Sequence, residues 1–297
     1  MSPELRAAYD ACRQLARTHY ENFPVASWLL PATLRPHVAA IYAFARSADD
    51  VADEPGRSTD ERLRLLAEWR HRLHGLQTSS REPATDGAAI FLALHDTIER
   101  FALPLQLFDD LLDAFTQDVT KTRYASWSEV FDYCRRSADP VGRLVLRLSG
   151  YRDEALDRAS DAVCTALQLT NFWQDLAVDW SRGRLYVPEE TLRHHGADPS
   201  GLAAARMTPE WVAAMHECCA RTRALFEAGR AVCDGVRGRL RYELRATWLG
   251  GTRILHRLER SGFDVFTRRP SLGTADALVI ACGTLLWRAI PPSPTRS

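Results

Sequence analysis

Three stretches of this 297-residue chain set carboxylates on successive helical turns: Asp49-Asp50-Val-Ala-Asp53-Glu54, Asp109-Asp110-Leu-Leu-Asp113 and Asp175-Leu-Ala-Val-Asp179. Acids three or four positions apart share a helix face, where they either hold a hard divalent cation or meet solvent. Like charges at that spacing cost only ~0.2–0.5 kcal/mol per pair, too little to decide between the two. The apolar residues around each cluster decide more. In the middle cluster, Leu105, Phe108, Leu111, Leu112 and Phe115 fall within one half-turn and Asp109, Asp110 and Asp113 fall opposite, an amphipathic surface helix. In the first cluster, Tyr42, Arg46, Asp49 and Asp53 line up opposite Ile41, Phe44, Ala45, Ala48, Val51 and Ala52. A tyrosine and an arginine on the acidic stripe suit a groove as well as they suit solvent.

The third cluster is different. Gln168, Asn171, Asp175 and Asp179 fall within about 80° of one another, with Asp161 and Cys164 extending the stripe and apolar residues on both flanks. A helix apolar almost all round is a buried helix, and buried carboxylates need compensation. No arginine or lysine occurs between Arg158 and Arg182, so metal ions or a water-filled cavity remain as the expected compensation. Oxygen donors without nearby His or Cys favour Mg²⁺. A metal beside an apolar, aromatic lining suits a substrate with a diphosphate head and a hydrocarbon tail. The metal would act as a Lewis acid on the leaving group, and aromatic faces would stabilise the resulting cation.

The elements that must position these residues all read with helical period. Helices are expected over 4–20, 34–54, 59–75, 88–101, 104–120, 127–149, 153–180, 209–234, 239–261 and 273–289, and no segment shows sustained strand alternation. Loops are expected at 77–87, 195–201 and 268–273, with one domain over 1–290 and a disordered tail over 291–297. An apolar content of 46% excludes a disordered chain. Lys+Arg and Asp+Glu are both 38, so no basic excess points to nucleic acid. The 7 cysteines include no C-x-x-C pair, which fits a reducing cytoplasm and disfavours a disulfide framework or a zinc site. The apolar run 277–287 is too short to span a bilayer, leaving peripheral membrane contact open. His71 with His74, and His194 with His195, lack carboxylate partners at metal-site spacing and are read as surface or packing residues.

On these motifs the chain resembles the squalene/phytoene synthases. Tyr42-Ala-Phe-Ala-Arg46-Ser-Ala-Asp49-Asp50-Val-Ala-Asp53 resembles the family's first aspartate-rich motif, and Gln168-Leu-Thr-Asn171-Phe-Trp-Gln-Asp175-Leu-Ala-Val-Asp179 its second. Tyr133-Cys134 with Val141-Gly142 resembles the mid-chain helix bordering the cavity, and Gly183-Arg184-Leu-Tyr186-Val-Pro188 the loop that closes over the diphosphate. The resemblance implies an all-α class I isoprenoid synthase (terpenoid synthase) bundle with a central cavity. It also implies Mg²⁺ held by Asp49, Asp50, Asp53, Asn171, Asp175 and Asp179, with the two sets of acids facing each other. Arg46, Arg184 and Tyr186 would hold the leaving group, Gln168 would contact substrate, and Tyr42, Phe23 and Tyr133 would shape the cation pocket.

Within the family the wording is most similar to the bacterial hydroxysqualene synthases of hopanoid biosynthesis, notably at Glu21-Asn-Phe-Pro-Val-Ala-Ser27 and Arg135-Arg-Ser-Ala-Asp-Pro-Val-Gly142. That resemblance implies conversion of presqualene diphosphate and water to hydroxysqualene, with no nicotinamide and with pathway enzymes as possible partners. Asp139 and Pro140 depart from the small-residue run of squalene and phytoene synthases. Pro140 should kink its helix, and Asp139 is a candidate to position the quenching water. The alternatives are a synthase joining two prenyl diphosphates head to head and a non-catalytic scaffold of the same fold.

Overall fold

A computed structural model describes residues 1–18, 30–53, 56–75 and 87–288. Among the described residues every regular element is a helix, as the periodicity predicts. The contacts fall into two compact units, Met1–Thr122 with Ser128–Asp153, and Arg123–Trp127 with Glu154–Ser297.

The first unit is built on α1 (Pro3–Thr18), α2 (Arg35–Asp53), α3 (Thr59–Leu73), α4 (Gly87–Phe101), α5 (Leu105–Asp118), α6 (Trp127–Ser137) and α7 (Asp139–Leu148). Its centre is α2, whose Ala40, Ala43, Phe44, Ala48 and Ala52 are fully buried. Small residues let neighbouring helices close in, and Phe44 fills the remaining space edge-on to Phe91 and Phe108, at 5.9 and 5.6 Å between ring centroids. A buried polar clasp joins α2 to α1 and α4: the Tyr9 hydroxyl donates to Asp96 at 2.6 Å and lies 3.0 Å from His37 Nδ1 and 2.9 Å from Thr97 Oγ1. Burial pushes the His37 imidazole below its ordinary range.

The second unit contains α8 (Glu154–Gln174), α9 (Leu176–Ser181), α10 (Glu189–His195), α11 (Ser200–Ala203), α12 (Pro209–Gly229), α13 (Val232–Gly235), α14 (Gly238–Arg260) and α15 (Thr274–Leu285). Helix α8 is its axis. A Cβ at Gly229 would lie 2.6 Å from the Ala159 carbonyl oxygen, so only glycine permits α12 to approach α8 this closely. Trp173 is wholly buried and donates its indole N–H to Thr222 at 2.9 Å, fixing the rotation of α8 against α12.

Three of the long helices expected from periodicity are each broken once, the 209–234 span between α12 (Pro209–Gly229) and α13 (Val232–Gly235). The 127–149 span breaks at Ala138, where Pro140 at the second position of α7 has no N–H to contribute. The 153–180 span breaks at Asp175 (φ −99°, ψ 9°), although Asp175 N–H still bonds the Asn171 carbonyl and Asp179 N–H the Asp175 carbonyl, both at 2.8 Å. The result is a kink inside an otherwise continuous hydrogen-bond ladder. Short helices α10 and α11 occupy a region the periodicity left without a helix. No helix of the described residues is long and apolar enough to cross a membrane.

Candidate active site

In the first unit the acidic motif occupies the last two turns of α2. Arg46 lies one turn before Asp49 and Asp50, and its guanidinium reaches both, Nη1 to Asp49 at 3.5 Å and Nη2 to Asp50 at 2.7 Å. All three side chains are partly exposed, so the pairs are weak in stability terms, ~0.3–0.5 kcal/mol each. Their consequence is orientation. Arg46 Nε is buried and has no acceptor among the described residues, so one edge of the fork has a donor left to give. Tyr42, one turn earlier, is half-buried, and burial raises its phenol above the ordinary value, with Arg46 opposing and Asp50 and Asp49 adding to the rise. Asp53, at the helix end, is exposed.

In the second unit the stripe predicted on α8 is the half-buried face of that helix: Asp161, Cys164, Gln168, Asn171 and Asp175 are all of intermediate exposure, while Val163, Ala166, Leu169, Phe172 and Trp173 are buried. Asp179 follows on α9, also half-buried. The turn after α9 explains the Gly183-Arg184 pair. Gly183 adopts φ 80°, its N–H bonds the Trp180 carbonyl at 2.9 Å, and Arg184 N–H bonds the Asp179 carbonyl at 2.8 Å. This left-handed helix end ties the backbone of Arg184 directly to that of Asp179. The following loop is fastened by aromatic stacking, with the buried Tyr186 ring parallel to Phe172 at 3.7 Å and 5.5 Å from Tyr124.

The elimination that left only metal or water to compensate the second motif is corrected here. Arg269, 94 residues away in sequence, pairs with Asp175, its Nη2 lying 3.1 Å from Oδ2 and its Nε bonded to Oδ1. The loop carrying it is held by Gln174, whose amide donates to the Pro270 carbonyl. A search of neighbouring sequence misses this partner, because only chain folding brings the 268–273 loop to the end of α8. Charge compensation therefore does not by itself demand a metal at Asp175.

The remaining predicted residues fall into distinct settings. Tyr133 is buried and donates to Asp118 at 2.7 Å. Asp139 is buried at the start of α7 and lines a cavity of about 120 Å³ with Leu107, Asp110, Arg135, Pro140 and Arg143. Phe23 and the 291–297 tail lie outside the described residues. The middle acidic cluster joins helices. Arg70 of α3 bonds Asp109 at 2.8 Å and Asp113 at 2.5 Å on α5, and His74 Nε2 lies 3.0 Å from Asp109.

The residues present fit a hard cation with an anionic ligand. Both motifs supply carboxylate and amide oxygens without His or Cys among them, the donor set of Mg²⁺. The unsatisfied Arg46 Nε adds a phosphate-type donor beside the first.

Comparison with known proteins bears on the family and the fold. The squalene/phytoene synthase family model matches residues 16–276. A hydroxysqualene synthase of Sinorhizobium fredii is 34% identical over 267 residues, spanning 89% of this chain and 88% of the relative. One from Rhodopseudomonas palustris is 32% identical, spanning 91% of this chain and 89% of the relative. The crystal structure of squalene synthase HpnC from Alicyclobacillus acidocaldarius superposes with a TM-score of 0.79 at 38% identity, covering 89% of this chain and 97% of that one.

Proposed function

We propose that this chain, which belongs to the squalene/phytoene synthase family, converts presqualene diphosphate and water to hydroxysqualene and diphosphate. The coarser activity, that of an isoprenoid synthase acting on long prenyl diphosphates, follows from the family and from its hydroxysqualene and squalene synthase relatives. The finer assignment draws on the names of the relatives that share about a third of its residues.

Mg²⁺, when bound, supplies a Lewis acid that stabilises charge on the departing diphosphate. Asp49, Asp50 and Asp53 on α2, and Asn171, Asp175 and Asp179 on α8 and α9, would hold it. Arg46 is oriented by Asp49 and Asp50 and keeps Nε for a phosphate oxygen, and this free donor is the observation that carries the reading. Arg184, whose backbone is tied to Asp179, would offer its guanidinium to a phosphate beside the second motif. The buried Phe172–Tyr186 stack packs the loop that carries Arg184 against α8, beside the second motif. Asp139, buried among charged neighbours, is the candidate to hold the terminating water.

Incubation of the pure chain with Mg²⁺ and presqualene diphosphate, without nicotinamide, should yield a C30 tertiary alcohol. Farnesyl diphosphate alone should not. Alcohol or hydrocarbon formed directly from farnesyl diphosphate would instead assign a head-to-head prenyl synthase. An unchanged alcohol-to-diene ratio in Asp139→Ala would remove Asp139 from water positioning.

A further inference from the structure

Among the described residues outside both acidic motifs, one cluster of metal-ligating side chains stands apart. His194 and His195 end α10, and Glu217 lies on the third turn of the facing helix α12. The two imidazoles are perpendicular with centroids 4.7 Å apart, and His195 Nε2 lies 2.9 Å from Glu217 Oε2. One ligand atom from each of the three residues falls within 4.8 Å of the others. Sequence spacing alone set these histidines aside, because Glu217 is 22 residues from His195 and reaches it only through the packing of α10 on α12.

Glu217 is oriented by a second partner. Arg221, one turn on, bonds its other oxygen, Oε1, at 2.9 Å and leaves Oε2 facing the imidazoles. An outer hydrogen bond that orients a ligating carboxylate is a regular part of metal sites. His194 has no part in the His195–Glu217 pair, so a simple ion pair leaves the second imidazole unexplained.

We propose that His194, His195 and Glu217 bind one divalent transition ion, with Zn²⁺ the best match, which clips α10 to α12. Two imidazoles and one carboxylate are borderline ligands of the kind Zn²⁺ takes with a fourth position left to water. Tetrahedral bonds of about 2.0–2.2 Å place ligand atoms roughly 3.4 Å apart. The exposed His194 ring can rotate to close the difference. On binding, the ion takes the place of the hydrogen between Nε2 and Oε2. That hydrogen passes to Nδ1 of a neutral ring or to solvent from a charged one. Helix α10 begins directly after Pro188, so the clip anchors the downstream end of the loop that carries Arg184 and Tyr186. The site stands whatever reaction the acidic motifs carry out.

Zn²⁺ titrated calorimetrically into the full chain in excess Mg²⁺ should bind at one ion per chain, and Co²⁺ should give the visible absorption of a tetrahedral site. Affinity should fall at least about tenfold in His194→Ala and in Glu217→Gln, and stay unchanged in Asp175→Asn. The thermal midpoint should rise with Zn²⁺ in the wild type and not in His194→Ala. Absence of binding in the wild type overturns the proposal. So does wild-type affinity in His194→Ala, an exposed position where truncation leaves the fold intact. Binding lost in Asp175→Asn but kept in His194→Ala would place the ion on the acidic motif and equally refute it.

Discussion

The two acidic motifs solve one electrostatic problem in opposite ways. On α2 the compensating cation is local: Arg46 sits three and four residues before the acids it pairs with, on the same helix face. On α8 and α9 the compensating cation is remote, an arginine 94 residues downstream delivered by a loop. A local pair persists wherever the helix forms. A remote pair exists only when the whole unit has folded, and it dissolves if the loop moves. The first motif thus carries its anion donor with it, whereas the second depends on tertiary structure to neutralise Asp175. The middle cluster shows the purely structural case, with Arg70 and His74 of α3 engaging the acids of α5.

The largest test of this contrast is Asp175→Asn beside Asp53→Asn. Both should lower kcat for diphosphate release at least about a hundredfold while leaving far-ultraviolet circular dichroism unchanged. Full turnover in either variant would remove that motif from the reaction. Arg46→Lys keeps the charge beside Asp49 and Asp50 but loses Nε, and should cost about tenfold in kcat/KM, or ~1.4 kcal/mol. An unchanged kcat/KM would show that the unsatisfied donor has no phosphate to meet.

Smaller effects separate structural pairs from functional ones. Arg269→Ala and Arg70→Ala should each lower unfolding free energy by about 1 kcal/mol or less, because both arginines are partly exposed. Arg70→Ala should leave kcat untouched. A loss of ~3 kcal/mol or more for Arg269→Ala would mean that the remote pair holds the fold together.

The most local effect concerns Asp276 of α15, a fully enclosed carboxylate whose partners are all structural. The backbone N–H of Gly273, at 2.7 Å, and the guanidinium groups of Arg253 and Arg257 hold its pKa down to about 2. A depressed carboxylate stabilises the native state above its ordinary range near 3.9 and loses that contribution as pH falls through the folded value. Helix α15 should therefore loosen between about pH 4 and 2. The fluorescence of Trp287, 5.4 Å from Trp248, should report it. An identical acid transition in Asp276→Asn would refute the assignment.

Much of this was legible in the residues themselves. Helical period placed the long helices, because burying one stripe of a helix imposes its period on the sequence. Pro140 announced the break before α7 through its missing N–H. The carboxylates and amide of the motifs named their own chemistry, since ligand type is a property of the side chain and not of its position. Arg46 was readable as well, because i,i+3 and i,i+4 neighbours meet in any helix.

Other features carried no local signal. The kink at Asp175 has no proline or glycine to mark it, Arg269 lies in a loop of ordinary composition, and Glu217 meets His195 only across packed helices. What the sequence by itself determined was the set of helices and the donors each one displays, because both follow from interactions within a few turns of chain. Which distant cation meets Asp175, and which carboxylate meets His195, only the tertiary structure decided. A contact between residues far apart in the chain is chosen by the packing of everything between them, and no short spacing encodes it.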